Sequence, residues 1–407
     1  MSIQLLSIGL QGIVLGLGMM LFIPIFLLLV ECVAAAFAPV ALAPTESRAT
    51  NLRVGVLMPA HNEAMTLPMT LKRLTPELQP NDLLLVVADN CEDETAAIAR
   101  SFGATVLERF DSERRGKGFA LDYGLNFMEQ NPPDVIVIVD ADCLVEPGAI
   151  HHIAQLAVAQ KRPVQATYLL EQPLQPKPKD AISALAFTVK NLVRPLGLRQ
   201  FGMPCLLTGT GMAFPWEMIR NVPLASGNIV EDMQLSLDLA IAGTPCLFCR
   251  EARVTGVLPQ QEKAATSQRT RWEHGHLQTI KTQVPRLLAA ALRQGRLDLL
   301  VLGLDLAIPP LSMLVLLWLA ATLFAAATAL VTGFQAGLWF LLLCGGLIAV
   351  AIFLAWFRFC RAELPLKTLL AIPLYVLWKI PLYFKFLVKP QTKWVRTDRD
   401  ATKPSDP

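Results

Sequence analysis

No lysine or arginine occurs in the first 47 residues of this 407-residue chain, and only 17% of all residues are charged against 53% hydrophobic. So little charge excludes a wholly water-exposed protein and points to a chain shared between water and lipid. The net charge is only +3, too small a surplus to suggest nucleic acid as a partner. The eight cysteines make no zinc pattern. Cys246-Leu-Phe-Cys249 has thioredoxin-like spacing, but there is no second pair, and Pro245 to Cys249 is apolar, so it reads as a buried strand with small thiols. Nothing asks for disulfides, which suits a cytosolic domain.

The apolar character is segregated. Leu10 to Ala43 exceeds the ~20 residues needed to cross a ~30 Å hydrocarbon core, which predicts a spanning helix. Ala41-Leu42-Ala43 resembles a cleavage site, but the basic n-region of a signal peptide is missing and the run is too long for one. Leu304 to Thr332 and Gly337 to Phe357 predict a membrane hairpin parted by a short Gly-containing turn. Arg48, Arg53, Lys72 and Arg73 follow the first span and Arg358, Arg361 and Lys367 the third. The positive-inside rule therefore puts both flanks, and the domain between them, in the cytosol, with the N-terminus outside.

The last apolar segment, Thr368 to Val388, carries Pro373, Lys379, Pro381 and Lys385 and ends in a basic tail, Lys389 to Arg399. It reads as an interfacial or re-entrant helix. The expected order is a transmembrane helix in 1–47, a cytosolic domain in 48–262 and interfacial helices in 263–300. A transmembrane hairpin in 301–360 follows, then an interfacial or re-entrant helix with a basic cytosolic tail in 361–407.

Between the apolar ends the pattern alternates. Val54 to Met58, Leu83 to Ala88 and Val135 to Val139 have the length and β-branched content of buried parallel strands, and Ala104 to Leu107 is a weaker one. Helical stretches, among them Leu67 to Leu78 and Thr95 to Phe102, separate them. This is a βαβ series, in which ligands sit beyond the carboxyl ends of the strands. The polar signals fall there: His61-Asn62-Glu63, Asp89-Asn90 and Asp140-Ala141-Asp142.

Asp140 and Asp142 stand one residue apart at a strand end, where two carboxylates can converge on a divalent ion; Asp is equally a common turn residue. Asp93 reads as a first-turn carboxylate of the helix from Thr95, which leaves Asp89 as the site candidate. Arg114-Arg115-Gly116-Lys117-Gly118 gathers cations and glycines at the start of the helix Phe119 to Glu129, either an anion site or a solvated basic turn. Glu231-Asp232 opens the helix Met233 to Ala242 after the loop Leu224 to Asn228, as capping acids or as catalytic ones. Gln268, Arg271 and Trp272 follow on a helix. A guanidinium pairs with phosphate through two bonds and an indole offers a face for a sugar ring, although an isolated Arg-Trp would be only an interfacial anchor.

Taken together, these residues resemble the inverting family 2 glycosyltransferases of the GT-A fold, an α/β Rossmann-like class, and in particular the membrane-embedded branch with cellulose, hyaluronan, chitin and poly-N-acetylglucosamine synthases. The resemblance covers Val54 to Pro285, and the hairpin extends it. It implies that Asp89 contacts the uracil, although the usual preceding acid is Ala88 here. It implies that Asp140 and Asp142 bind Mg²⁺ or Mn²⁺ and the diphosphate, and that Lys117 lies in a basic donor-binding segment. Asp232 closes a T-E-D motif, with Val230 in place of Thr, as the base that deprotonates the acceptor, and Glu231 lies beside it on the acceptor side. Gln268 and Arg271 hold the diphosphate while Trp272 stacks the acceptor sugar.

The implied partners are a nucleotide-sugar donor, with a UDP-sugar expected, a glycan or lipid acceptor, and membrane lipids. Three functions remain open. A processive polysaccharide synthase is suggested by the Gln-Arg-Trp motif and by Thr392 to Thr397, which resembles elements of polymerases. A transferase adding one sugar to a lipid carrier suits a chain with three spans. An inactive membrane scaffold would not need intact acids at these positions.

Overall fold

The computed structural model describes residues 2–39, 52–171, 177–225, 231–257 and 262–388. The Ala41-Leu42-Ala43 triplet, Arg48, Val230, most of the loop Leu224 to Asn228 and the basic tail with Thr392 to Thr397 lie outside the described residues. The chain divides into two compact units. One gathers the described residues up to Ala38, Lys177–Met203 and those from His276 onward; the other holds Pro39, residues 52–171 and the described part of Pro204–Gly275.

The second unit is built on eight strands, β1 (Val54–Ala60), β2 (Leu83–Asp89), β3 (Thr105–Arg109), β4 (Val135–Ile138), β5 (Cys143–Val145), β6 (Val164–Glu171), β7 (Met212–Pro215) and β8 (Leu247–Val257). Their order in the sheet is β3-β2-β1-β4-β7-β6-β8-β5. The first four are parallel, β7 runs antiparallel to β4 and β6, and β8 pairs parallel with β6 and antiparallel with β5. Strands buried on both faces read as continuous apolar runs, because helices cover each side.

On one face Val54, Val56, Met58 and Ala60 pack with Leu67 and Leu71 of helix α2 (Leu67–Leu74) and with Ile150, Ile153 and Ala157 of α5 (Ala149–Gln160). The opposite face takes α4 (Lys117–Met128), whose Ala120, Leu121 and Leu125 are buried. The helix expected to reach Leu78 gives way at Thr75 to a 3₁₀ turn, Thr75–Glu77. Thr75 itself keeps α-region angles (φ −58°, ψ −39°), and the α ladder stops there because Pro76 has no backbone N–H to continue it. In the parallel half the order reverses between β1 and β4, which opens a crevice beyond their carboxyl ends.

The described residues of the first unit form helices and the turns between them. Four stretches, Leu5–Ala36, Leu311–Thr332, Ala336–Cys360 and Leu366–Phe386, are long and apolar enough to cross a membrane. They belong to α1 (Ser2–Ala36), α12 (Leu311–Thr332), α13 (Ala336–Ala355) with its π-helical end, and α14 (Leu366–Leu369) with α15 (Ile372–Val388). The expected span from Leu304 is split at Pro309-Pro310, which ends α11 (Leu297–Leu306) and starts α12. The fourth stretch differs from the interfacial expectation in one respect. Lys379 does not reach for a water interface but is 1% exposed, with its ammonium 5.5 Å from the Tyr375 ring and 5.7 Å from that of Trp378.

Another buried charge group ties distant segments of this unit. Arg194, on α7 (Arg194–Gln200), donates to Glu31 of α1 at 3.2 Å and to the Asp305 carboxylate of α11 at 2.6 Å. All three are less than a tenth exposed. Gly197 permits the approach, since a Cβ there would stand 2.2 Å from the Glu31 carbonyl oxygen.

Candidate active site

Five of the expected residues meet at the carboxyl ends of the strands. Lys117 is the first residue of α4, after Gly116 with φ +130°. Its ammonium donates to Asp140 Oδ1 at 2.5 Å and to the Gly209 carbonyl at 2.6 Å. The Asp140 amide donates to Thr210 Oγ1 at 3.1 Å, so the turn before β7 holds both partners of the ion pair. Gly209 has φ +93°, and a Cβ there would lie 3.3 Å from Asp232 Oδ2 and 3.7 Å from the Lys117 ammonium. Asp232 thus faces the same point. Glu231 and Asp232 are the first two residues of α9 (Glu231–Ile241), where the helix dipole favours negative charge.

The charges in this group are unbalanced. Burial alone would lower the Lys117 pKa, but Asp140, then Glu231 and Asp232, raise it above the ordinary lysine value. Burial pushes the Asp140 carboxyl up, Lys117 pulls it back, and Asp142 pushes it further. Glu231 is pushed up to about 7, by burial first and the Asp232 charge second. Four carboxylates around one ammonium leave room for further positive charge. Ligand atoms of Asp140, Asp142 and Cys143 all lie within 4.8 Å of one another. Two carboxylates are the hard oxygen donors that Mg²⁺ and Mn²⁺ prefer. The Cys143 thiol, held protonated by burial and then by the Asp142 charge, adds little to such a site. Asp140 and Asp142 therefore fit the expected ion.

Asp89 forms a neighbouring group that the sequence only half showed. It ends β2, and its Oδ1 accepts from Arg109 at the end of β3 at 2.6 Å, both side chains being 9% exposed. Burial raises the Asp89 carboxyl and Arg109 pulls it down. Arg109 also donates to Asp111 at 3.1 Å and to the Arg114 carbonyl at 2.8 Å, which shapes the loop leading to Lys117. Arg114 is itself 73% exposed and pairs with Asp111, so this part of the basic segment is partly a solvated turn. Asp93, expected as a first-turn carboxylate, instead precedes the N-cap Glu94 of the helix Thr95–Ser101 and accepts from the amides of Ala64 and Thr95, both at 3.1 Å, which ties that helix start to the segment after β1.

Gln268, Arg271 and Trp272 lie on α10 (Glu262–Gln294), Gln268 buried and the other two half-buried. Their spacing of three and four puts them on one helix face. The sequence reading missed Arg109 and the Gly209-Thr210-Gly211 turn. Two glycines around a threonine before an apolar strand were a usable turn signal. Arg109, last residue of a short strand, carried none.

The mixed sheet, with acids gathered at the carboxyl ends of its parallel strands, places the chain in the GT-A fold class. The sequence model of the family described as "Glycosyltransferase like family 2" matches residues 52–275, more than half of the chain, and the chain belongs to that family. Among curated relatives, "Probable glycosyltransferase YdaM" of Bacillus subtilis is 36% identical over 109 residues, a quarter of each chain. The "4,4'-diaponeurosporenoate glycosyltransferase" of Staphylococcus haemolyticus is 28% identical over 178 residues, 42% of this chain and 45% of that one. The chain thus spans less than half the length of either relative. Among solved structures, the mannosyltransferase PcManGT of Pyrobaculum calidifontis, in complex with GDP-Man and Mn²⁺, covers 93% of this chain and 99% of its own, at a TM-score of 0.55 and 18% identity. That likeness bears on the fold.

Proposed function

We propose that the chain transfers a sugar, with inversion, from a nucleotide-sugar, a UDP-sugar in the first instance, to a glycan or lipid-linked acceptor at the cytosolic membrane face. The convergence of Asp232 with Lys117, Asp140 and Gly209 at the strand ends carries this reading. Asp232 takes the proton of an acceptor hydroxyl, that oxygen bonds to the anomeric carbon, and the bond from that carbon to the diphosphate oxygen breaks. Lys117 and Arg271 offset the charge of the departing diphosphate. Asp89 receives the base, Gln268 supports the diphosphate, and Trp272 with Glu231 borders the acceptor. An ion held by Asp140 and Asp142 would supply Lewis-acid charge to the diphosphate.

A non-processive reading, one sugar added to a lipid acceptor, has its own support. The Staphylococcus relative is named a 4,4'-diaponeurosporenoate glycosyltransferase, and four helices of this chain are long and apolar enough to cross a membrane, where a lipid acceptor would reside. Membranes fed a panel of labelled nucleotide sugars decide between the two: a ladder of products means polymerisation, one added sugar the lipid reading. The base assignment has a separate test. Asp232→Asn abolishes transfer but keeps donor affinity, because the base acts on the acceptor. An equal loss of nucleotide affinity in a calorimetric titration refutes it.

A further inference from the structure

Away from the sugar-transfer centre, one cluster combines soft and hard metal donors. His152 of α5 and Cys249 and Glu251 of β8 bring an imidazole nitrogen, a thiol sulfur and a carboxylate oxygen within 4.8 Å of one another. Cys249 lies in a buried apolar strand, as its sequence suggests. The sequence did not show the break that follows it.

β6 and β8 pair from Val164 with Leu247 to Ala166 with Cys249, and pairing resumes only at Thr167 with Arg253. Arg250, Glu251 and Ala252 therefore bulge from the ladder. Bulges forfeit ladder hydrogen bonds and tend to occur where they re-aim side chains. Here the bulge brings the Glu251 carboxylate round to accept from the Cys249 thiol at 3.7 Å. Arg250 donates to the Pro39 carbonyl, and Arg253 pairs with Glu146 at 3.3 Å.

A Cys-His-Glu cluster can serve as a nucleophilic triad, as plain packing or as a metal site. A nucleophile must meet its substrate, and Cys249 is 0% exposed. Plain packing accounts for the thiol-to-carboxylate hydrogen bond but not for the His152 imidazole nitrogen drawn to the same point. A metal ion is small enough to enter from the half-buried side of His152 and Glu251. Sulfur and imidazole select zinc over the oxygen-seeking Mg²⁺ and Mn²⁺.

We infer that His152, Cys249 and Glu251 form a zinc site whose fourth position is open to water. Tetrahedral zinc with bonds of about 2.0–2.3 Å sets its ligand atoms about 3.3–3.6 Å apart, so the cluster closes by no more than about 1.5 Å on binding. The ion fastens the β8 bulge to α5. β8 then pairs with β5, Cys143 opposite Gly256 and Val145 opposite Val254, directly after Asp142. The site is a staple beside the catalytic strand end and takes no part in transfer.

The test uses the full chain in detergent, stripped by chelator and titrated with Co²⁺. One equivalent binds with a thiolate-to-cobalt charge-transfer band, which Zn²⁺ displaces, and metal analysis of the untreated protein finds one zinc per chain. Cys249→Ser abolishes the band while Cys143→Ser, which alters the thiol beside Asp140 and Asp142, keeps it. Should Cys249→Ser fail to fold, His152→Ala retains the thiol and weakens Co²⁺ binding about tenfold or more. No thiolate band in the wild-type chain overturns the inference. So does a band that survives Cys249→Ser and vanishes in Cys143→Ser, since the ion would then sit at the diphosphate site.

Discussion

Replacing Gly209 by alanine tests the geometry on which the catalytic assignment rests. Two costs can be worked out separately. At φ +93° an L side chain is strained, by about 1–2 kcal/mol, which is about a five- to thirty-fold change in the folding equilibrium. The new methyl group also stands 3.3 Å from Asp232 Oδ2 and 3.7 Å from the Lys117 ammonium, and Lys117 donates to the carbonyl of this same residue. The Asp232 carboxylate must shift by a few tenths of an ångström, while the lysine stays at ordinary contact distance. Since a misplacement of about 1 Å can cost about a hundredfold in rate, we expect a loss of about tenfold in kcat. Gly103→Ala is the control. It has φ +80° but open space around it, so it carries the same conformational cost with no collision at the site. Turnover of labelled donor and thermal unfolding are measured on the same detergent-purified samples. Full activity in Gly209→Ala, or an equal loss of activity in Gly103→Ala, refutes the placement of Asp232 beside Lys117.

Three further outcomes are expected. Trp272→Ala shortens the product or raises the acceptor requirement while donor affinity holds, since stacking on one ring is worth about 0.5–1.5 kcal/mol beyond its area; a destabilised variant with normal products makes the indole a membrane anchor instead. Asp142→Ala weakens metal-dependent nucleotide binding, and full activity in excess chelator rules out the ion. His151 Nε2 lies 3.1 Å from Asp82 Oδ2, and that hydrogen bond holds the imidazole pKa up against burial. The stability it contributes is complete below the unfolded value of about 6.5 and is lost as pH rises through the higher folded value. The denaturant midpoint therefore falls on the alkaline side of about pH 6.5 and becomes flat there in His151→Gln; an unchanged slope in that variant removes the pair from the account.

Local signals made the parallel half of the sheet legible. Val54 to Met58, Leu83 to Ala88 and Val135 to Val139 are apolar without interruption because helices cover both their faces, and acids at their ends mark the crevice. The other half was opaque. β5 and β7 have three and four residues, and the parallel pairing of β6 with β8 joins segments more than 80 residues apart, which no local pattern encodes. Arg109 escaped for the same reason, since its role depends on the neighbouring strand that carries Asp89. The burial of Lys379 against the Tyr375 and Trp378 rings was likewise invisible in the sequence, which shows only a cation in an apolar helix.

The charge cluster of the helical unit bears on how the chain is made. Glu31 precedes its partner Arg194 by 163 residues, and Asp305 comes another 111 later. At about 5–20 residues per second of synthesis, the first helix waits roughly ten to thirty seconds for its guanidinium, and Asp305 arrives later still. Over that interval it carries an uncompensated carboxylate. The N-terminal helix therefore reaches its final seat only after Arg194, with strands β1 to β6 before it, has left the ribosome, so an early arrest would leave an apolar helix with an acid and no counter-charge, a form that quality-control proteases can recognise.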